Sequence, residues 1–305
     1  MAYSLRKARK ILKLVKDIGE FDASIQLNIS KDSVKRACRL AEGGTKPLKV
    51  TAGKGLQGYV NDVKPKFRSD NRPMCIHPDI HAPYSHPDTI EFLKWVQEWR
   101  GCQERVVNVG DLLDFHAQSR FTSEIDAHNA VEEYKKALAF VADYSKAFPL
   151  GDMVLGNHDA IPQRAMKELG LLPSMLKDSN ELYGLPEGWN IHPLYYVIDP
   201  DGWNVLVEHG IGSGGRYGCA NTAKEKRCSY VMGHVHSAAA VIYSTNHNST
   251  IFGMNVGCLV DSGSLAMRYG KYGIKKGVIS CGVVYGGSHA EVITMDTWKN
   301  YKKWF

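Results

Sequence analysis

A chain of 305 residues, 44% hydrophobic and with a formal charge of +6, has room for one large core and a small accessory one. No apolar run is long enough to span a bilayer, and the basic start Met1–Lys7 leads into no apolar signal core, so no membrane partner and a cytoplasmic location are expected. The seven cysteines are scattered and odd in number, without a Cys-x-x-Cys pair, which argues against a disulfide framework and a cysteine zinc site.

The charge is uneven. Residues 1–72 carry 17 Lys and Arg against 7 Asp and Glu, a local excess of +10, while the rest of the chain is mildly acidic. A basic segment on an acidic body suits an arm for a polyanion, or a small helical domain solvated by its lysines. Leu5, Ala8, Leu12 and Val15 recur at helical spacing, and Gly19 ends that stretch. Asp22 caps a second short helix, Asn28 suits a left-handed turn, and Ser30 caps a third helix over 31–41.

The run Ala23–Arg36, with Ala23, Leu27, a turn residue, Ile29, the Ser30 cap and Val34, resembles the helix-turn-helix of DNA-binding regulators. In such a unit the last helix enters the major groove, and its outward residues here are Lys31, Ser33, Lys35, Arg36 and Arg39. The other reading is a three-helix module, 1–44, that binds protein or docks on the body. Residues 45–72 lack periodicity and hold Gly53, Gly55, Gly58, Pro47 and Pro65 among lysines, the pattern of a linker.

From Pro73 strands alternate with helices. Met74–His77 is a strand leading into Asp79-Ile80-His81. Pro87 opens a helix bearing Ile90, Leu93, Val96 and Trp99. Arg105–Val109 is a buried strand that ends in Gly110-Asp111-Leu112-Leu113-Asp114. Ser123 with Asp126 marks a helix start, and the stripe Ala127, Val131, Tyr134, Leu138, Val141 follows. Met153–Leu155 ends in Gly156-Asn157-His158-Asp159, and residues 160–193 read as less regular, a stretch suited to shaping a substrate cleft. Val205–Val207 ends in Glu208-His209, and Tyr230–Met232 ends in Gly233-His234-Val235-His236. The later runs 240–244, 250–256, 277–284 and 291–295 are strands without helices between them, which predicts a second sheet stacked on the first.

Carboxylates and imidazoles that close successive strands gather at one edge of an α/β sheet, and that donor mix suits zinc, manganese or iron. The five motifs, in this order, resemble the calcineurin-like metallophosphoesterase family over roughly residues 73–295. The details Asp79–Tyr84 and Asp111–Phe115 look most like the enzymes encoded by tailed bacteriophages, which would put the protein in a host cytoplasm. The resemblance implies an α/β fold, a two-sheet αββα sandwich over 73–305. Phe115-His116 and Asp159 depart from the protein phosphatases of the family, whereas Asn157-His158-Asp159 is shared with its repair exonucleases. Those place their catalytic domain first, so their substrate does not carry over.

The resemblance further implies two divalent ions, manganese first, with iron, zinc or nickel as alternatives. Asp79, His81, Asp111 and His236 would hold one, and Asp111, Asn157, His209 and His234 the other. His158 would be the general acid, with Asp114 or Asp159 orienting its ring; Asp114 reads equally as a structural loop cap. His77, His86 and His116 read as structural or substrate-facing, the former first. Arg120 and Arg164 are either phosphate clamps or solvated surface. Gly210–Gly215 lacks the Lys-Ser/Thr ending of a P-loop and reads as a flexible loop. Trp298, Tyr301 and Phe305 share a helical face that packs on the body. The resulting expectation is a metal-dependent phosphodiesterase acting on DNA. The alternatives are a hydrolase of nucleotides or other small phosphates, and a DNA-binding regulator with an inert body. Oligomeric state is not legible.

Overall fold

The computed structural model describes residues 11–17, 38, 72–118, 128–172, 175–198, 204–261 and 276–304. The chain divides into two compact units, residues 1–61 and 62–305. In the first unit residues 11–17 are helical. The helix-turn-helix residues Lys31, Ser33, Lys35, Arg36 and Arg39 lie outside the described residues.

The second unit is built on two mixed sheets. In the first, β1 (Met74–His77), β2 (Val106–Asn108), β3 (Gly151–Val154) and β4 (Trp189–His192) run parallel in that order. Helices α1 (Thr89–Trp99) and α2 (Ala130–Ala147) make the first two connections, and α3 (Ile161–Glu168) with α4 (Ser179–Tyr183) makes the third. The second sheet joins β5 (Tyr195–Ile198), β6 (Val205–Glu208), β7 (Ser229–Met232), β9 (Thr250–Val256) and β8 (Ala239–Thr245), in that spatial order, with helix α5 (Gly218–Lys226) linking β6 to β7.

The alternation of side chains along each strand sorts the core into layers. Met74, Ile76, Val107 and Val154 meet Val205, Val207, Val231, Phe252 and Met254 between the two sheets. Their neighbours Cys75, Val106 and Met153 face α1 and α2, packing on Phe92, Val96, Val141 and Tyr144. Tyr230 and Met232 face α5 at Cys219 and Ala223. Strands buried on both faces read as continuous apolar runs, which is why β1, β2 and β7 were legible. The sheets approach closely at Gly282, where a Cβ would stand 2.7 Å from Val256 Cγ1.

Four expectations are corrected. The late strands do not all form the second sheet: β10 (Ser280–Gly286) and β11 (His289–Thr294) return to the first, with β10 antiparallel to β1. This pairs the edge of β1 that its parallel partner leaves open. Residues 160–193 are not irregular but carry α3, α4 and β4. The first connecting helix starts at Thr89 rather than Pro87. The buried stripe of α2 is Glu133, Ala137, Val141 and Tyr144, and Val131 is exposed. Asn129 caps α2, its Oδ1 accepting from the N–H of Val131 and Glu132; the Ser123–Asp126 signature lies outside the described residues.

The last helix, α6 (Met295–Trp304), packs on α1: Trp298 is buried against Phe92 and Tyr301 lies against Trp95. No helix among the described residues is long and apolar enough to cross a membrane. All seven cysteines are free thiols, and five of them are buried.

Candidate metal centre

Parallel pairing of β1, β2 and β3, and of β6 and β7, brings the loops that follow them together. Backbone bonds lock these loops to one another. Ile80 and His81 both donate to the Asp111 carbonyl (3.1 and 2.8 Å), Val109 donates to His77, and Gly233 donates to the His209 carbonyl (3.2 Å). The same turns force left-handed backbone on His81, Asp111, Phe115 and His234, at φ between 49° and 64°. A non-glycine residue held there costs on the order of 1 kcal/mol or more, and such strain collects at functional sites.

Asp111 is buried at the centre. Its Oδ1 accepts the His158 N–H (2.8 Å); its Oδ2 lies 3.2 Å from His209 Nε2 and 3.5 Å from His81 Nε2. Asn157 Oδ1 is 3.0 Å from the same His209 nitrogen. The other ring nitrogen, His209 Nδ1, donates to the Val109 carbonyl (2.9 Å), which leaves Nε2 facing Asp111 and Asn157. Asp79 Oδ2 sits 2.9 Å from His236 Nε2 and accepts the His234 N–H (2.8 Å). Three groups of ligand atoms result, each within 4.8 Å: Asp79, His81 and His236; His81, Asp111 and His158; Asp79, Asp111 and His209. His234 belongs to none of them. It contributes its N–H, and its ring lies 5.1 Å from that of His209.

Two observations test whether these residues fit a cation. The buried atoms Asp79 Oδ1 and His81 Nε2 have no hydrogen-bond partner, a costly state unless something else engages them. The walls around the carboxylates are also kept bare. A Cβ on Gly156 would fall 2.1 Å from Asp111 Oδ1, and one on Gly233 would fall 2.0 Å from Asp79 Oδ1. Buried carboxylate oxygens, imidazole nitrogens and an amide oxygen form a donor set that fits a divalent transition metal.

Electrostatics agree. Burial pushes the Asp111 carboxyl up, but the charge and hydrogen bond of His209, with His81 and His158, hold it below the usual carboxylate range. Burial likewise raises Asp79, and His209 and His236 bring it down. Burial would lower His209, yet the charge and hydrogen bond of Asp111, with Asp79, hold it at about 10. The carboxylates therefore favour positive charge at the facing imidazole nitrogens, which a metal ion could supply in place of a proton.

Around this centre Asp114 engages two rings. Its Oδ1 lies 2.5 Å from His81 Nδ1 and 3.1 Å from His158 Nδ1, and its carbonyl lies 2.6 Å from His158 Nδ1. Burial opposes the charge on His158, but the hydrogen bond from Asp114 and the charge of Asp111 raise it to about 9. Asp159 does not reach the His158 ring. Its carboxylate accepts four backbone N–H groups, from Asp111 (2.6 Å), Gly156 (2.9 Å), Leu112 (3.2 Å) and Leu113 (3.4 Å). It therefore shapes the turn that carries Asp111.

The remaining candidates separate. His77 is buried against Tyr144 and Phe148, and His86 Nδ1 accepts the Asp88 N–H. His116 is buried, with Nδ1 4.0 Å from Asp114 Oδ2, and belongs to none of the three groups. Arg164 donates to the Asn157 carbonyl (2.9 Å), and Arg120 lies outside the described residues. One residue was missed: Glu133, whose carboxylate accepts the N–H groups of His116 (2.6 Å) and Ala117 (2.8 Å). Its signal was present, since Glu133 precedes Ala137 and Val141 at four-residue steps on the buried face of α2. No protein-family model matches the chain, and no curated protein matches it significantly.

Proposed function

We propose that this protein is a binuclear metal-dependent phosphodiesterase of the calcineurin-like type that acts on DNA. The observation that carries the reading is the overlap of the three ligand groups, which share Asp79, His81 and Asp111 in pairs. Asp79, His81, Asp111 and His236 would hold one ion, and Asp111, Asn157, His209 and His234 the other. Manganese suits these donors, as do iron, zinc and nickel. Two dications held there would supply the charge that neutralises and polarises a phosphoryl group for in-line displacement.

The chain's own groups do the rest. His158, with Nδ1 engaged by Asp114, keeps Nε2 for a proton transfer to the leaving oxygen. Its raised pKa makes it arrive protonated, and two nearby dications would pull that pKa back toward neutrality, where proton transfer is efficient. Asp114 orients His81 and His158 together, and Asp159 holds the Asp111 turn by its N–H groups. DNA is the favoured substrate because residues 1–72 carry the positive excess and the helix-turn-helix pattern.

The test is hydrolysis of labelled single- and double-stranded DNA, with a bis-aryl phosphate as the small ester, in added manganese. Cleavage of both is expected. Cleavage of the aryl ester alone would make small phosphates the substrate. Inertness toward every ester, with metal retained, would leave a DNA-binding protein on an inactive body.

A further inference from the structure

The loop between His209 and α5, whose composition predicts a flexible segment, is closed on itself. Ser213 N–H donates to the Gly210 carbonyl (2.9 Å), Gly218 N–H donates to the Gly215 carbonyl (3.1 Å), and Ser213 Oγ bonds Thr222 Oγ1 (2.8 Å). A Cβ on Gly218 would stand 1.9 Å from the Ser213 carbonyl, so the closure depends on glycine there. Arg216 is held at the end of this loop. It makes no hydrogen bond or ion pair among the described residues, unlike Arg100, Arg105 and Arg164, which all have partners.

Arg216 lines a cavity of about 400 Å³ whose other walls are Ser237, Ala238, Ala239, Ala240 and Val278. This wall belongs to the metal centre's own chain. Ser237 follows His236 directly, and the Val278 N–H donates to the His236 carbonyl (2.8 Å). The cavity thus lies beside the backbone of His236. Among the described residues its lining is small and apolar apart from the serine, Arg216 is its single charged group, and no carboxylate pairs with the guanidinium. A cavity of this volume accepts a nucleotide-sized unit, and a lone unpaired arginine at its wall suits a phosphate in fork geometry.

We propose that the Arg216 cleft binds the phosphate next to the scissile one, so that the substrate class is a strand with consecutive phosphodiesters rather than an isolated ester. This rests on the phosphodiesterase reading above and deepens it. The guanidinium would fix the strand's register without touching the reacting phosphate. It would therefore act on substrate affinity, not on the chemical step.

The experiment uses the full chain, wild type and Arg216→Ala, with fluorescein-labelled tetrathymidylate binding measured in EDTA over a salt series. Because Arg216 is exposed, a discounted contact predicts roughly two- to fivefold weaker binding. The log–log salt slope should shrink by about 0.7, the value for one single-strand phosphate contact. Arg216→Lys should restore the slope but not the full affinity. With manganese, hydrolysis of a bis-aryl phosphate, which has no second phosphate, should be unchanged in Arg216→Ala. Unchanged affinity and slope beside normal aryl ester hydrolysis would overturn the cleft and leave the hydrolase standing. Loss of affinity and slope in a protein that hydrolyses no ester would support the cleft and overturn the hydrolase.

Discussion

Gly233→Ala offers a clean perturbation of the centre. Gly233 is not among the residues with left-handed backbone, so alanine is allowed by conformation and only its Cβ matters. That Cβ would stand 2.0 Å from Asp79 Oδ1 and 2.8 Å from Val109 Cγ2. Ordinary contact begins near 3.4 Å, so the carboxylate oxygen must retreat by about 1.4 Å. Metal–ligand distances tolerate about 0.2 Å. The carboxylate cannot simply swing away, because Asp79 is fully buried and its Oδ2 is tied to the His234 N–H and His236. Metal affinity should fall by at least the roughly 10–100-fold typical of losing a ligand's support. Overpacking should cost about 1–3 kcal/mol of stability, too little to unfold the domain. Manganese titration and elemental analysis after gel filtration read the first effect, and thermal unfolding reads the second. Gly214→Ala is the control, since nothing lies within 4 Å of its added Cβ. A folded Gly233→Ala protein with wild-type metal content and affinity would refute the assignment of Asp79.

Three further outcomes are expected. His158→Ala should keep its metal yet lose about 10²–10⁴-fold in turnover, less for esters whose leaving group needs no proton; loss of metal by elemental analysis would make His158 a ligand instead. Replacing Lys31, Lys35, Arg36 and Arg39 together by alanine should reduce the log–log salt slope of duplex DNA affinity by roughly 3–4, at about 0.9 per phosphate contact, and leave aryl ester hydrolysis intact; equal slopes would remove DNA as the arm's partner. His77 tests the core. Burial lowers its pKa from 6.5 to about 3, so the folded state keeps it neutral where the unfolded chain charges it. Its stabilisation is complete above pH 6.5 and is lost as pH falls toward 3, on the order of 5 kcal/mol in all. Urea midpoints across that window should drop less steeply in His77→Gln, and parallel curves for the two proteins would contradict the burial argument.

The centre was legible because its residues close strands whose continuous apolar runs announce themselves: Asp111 after β2, Asn157 and His158 after β3, His209 after β6 and His234 after β7. What lay in pairing was not. Nothing in Ser280–Thr294 says that it returns to β1 instead of joining β9, because alternation fixes a face but not a neighbour. The role of Asp159 was hidden for a related reason: three of its four partners are backbone N–H groups 46 to 48 positions away, which carry no sequence signal. The α2 face was misjudged by counting Val131 as core and overlooking Glu133, a buried acid that serves the turn after Asp114. The Arg216 cleft joins three segments, at Arg216, at 237–240 and at Val278, that are distant in sequence and meet only in the folded chain.

The central claim is that Asp111 joins two cations at one reactive centre. Asp111→Asn removes a charge that His209, His81 and His158 all face, with almost no change in shape. Metal content by elemental analysis and manganese-dependent hydrolysis of a bis-aryl phosphate should be measured on the same preparation. The account predicts that both fall together. Hydrolysis at a near wild-type rate by the Asp111→Asn protein would contradict it.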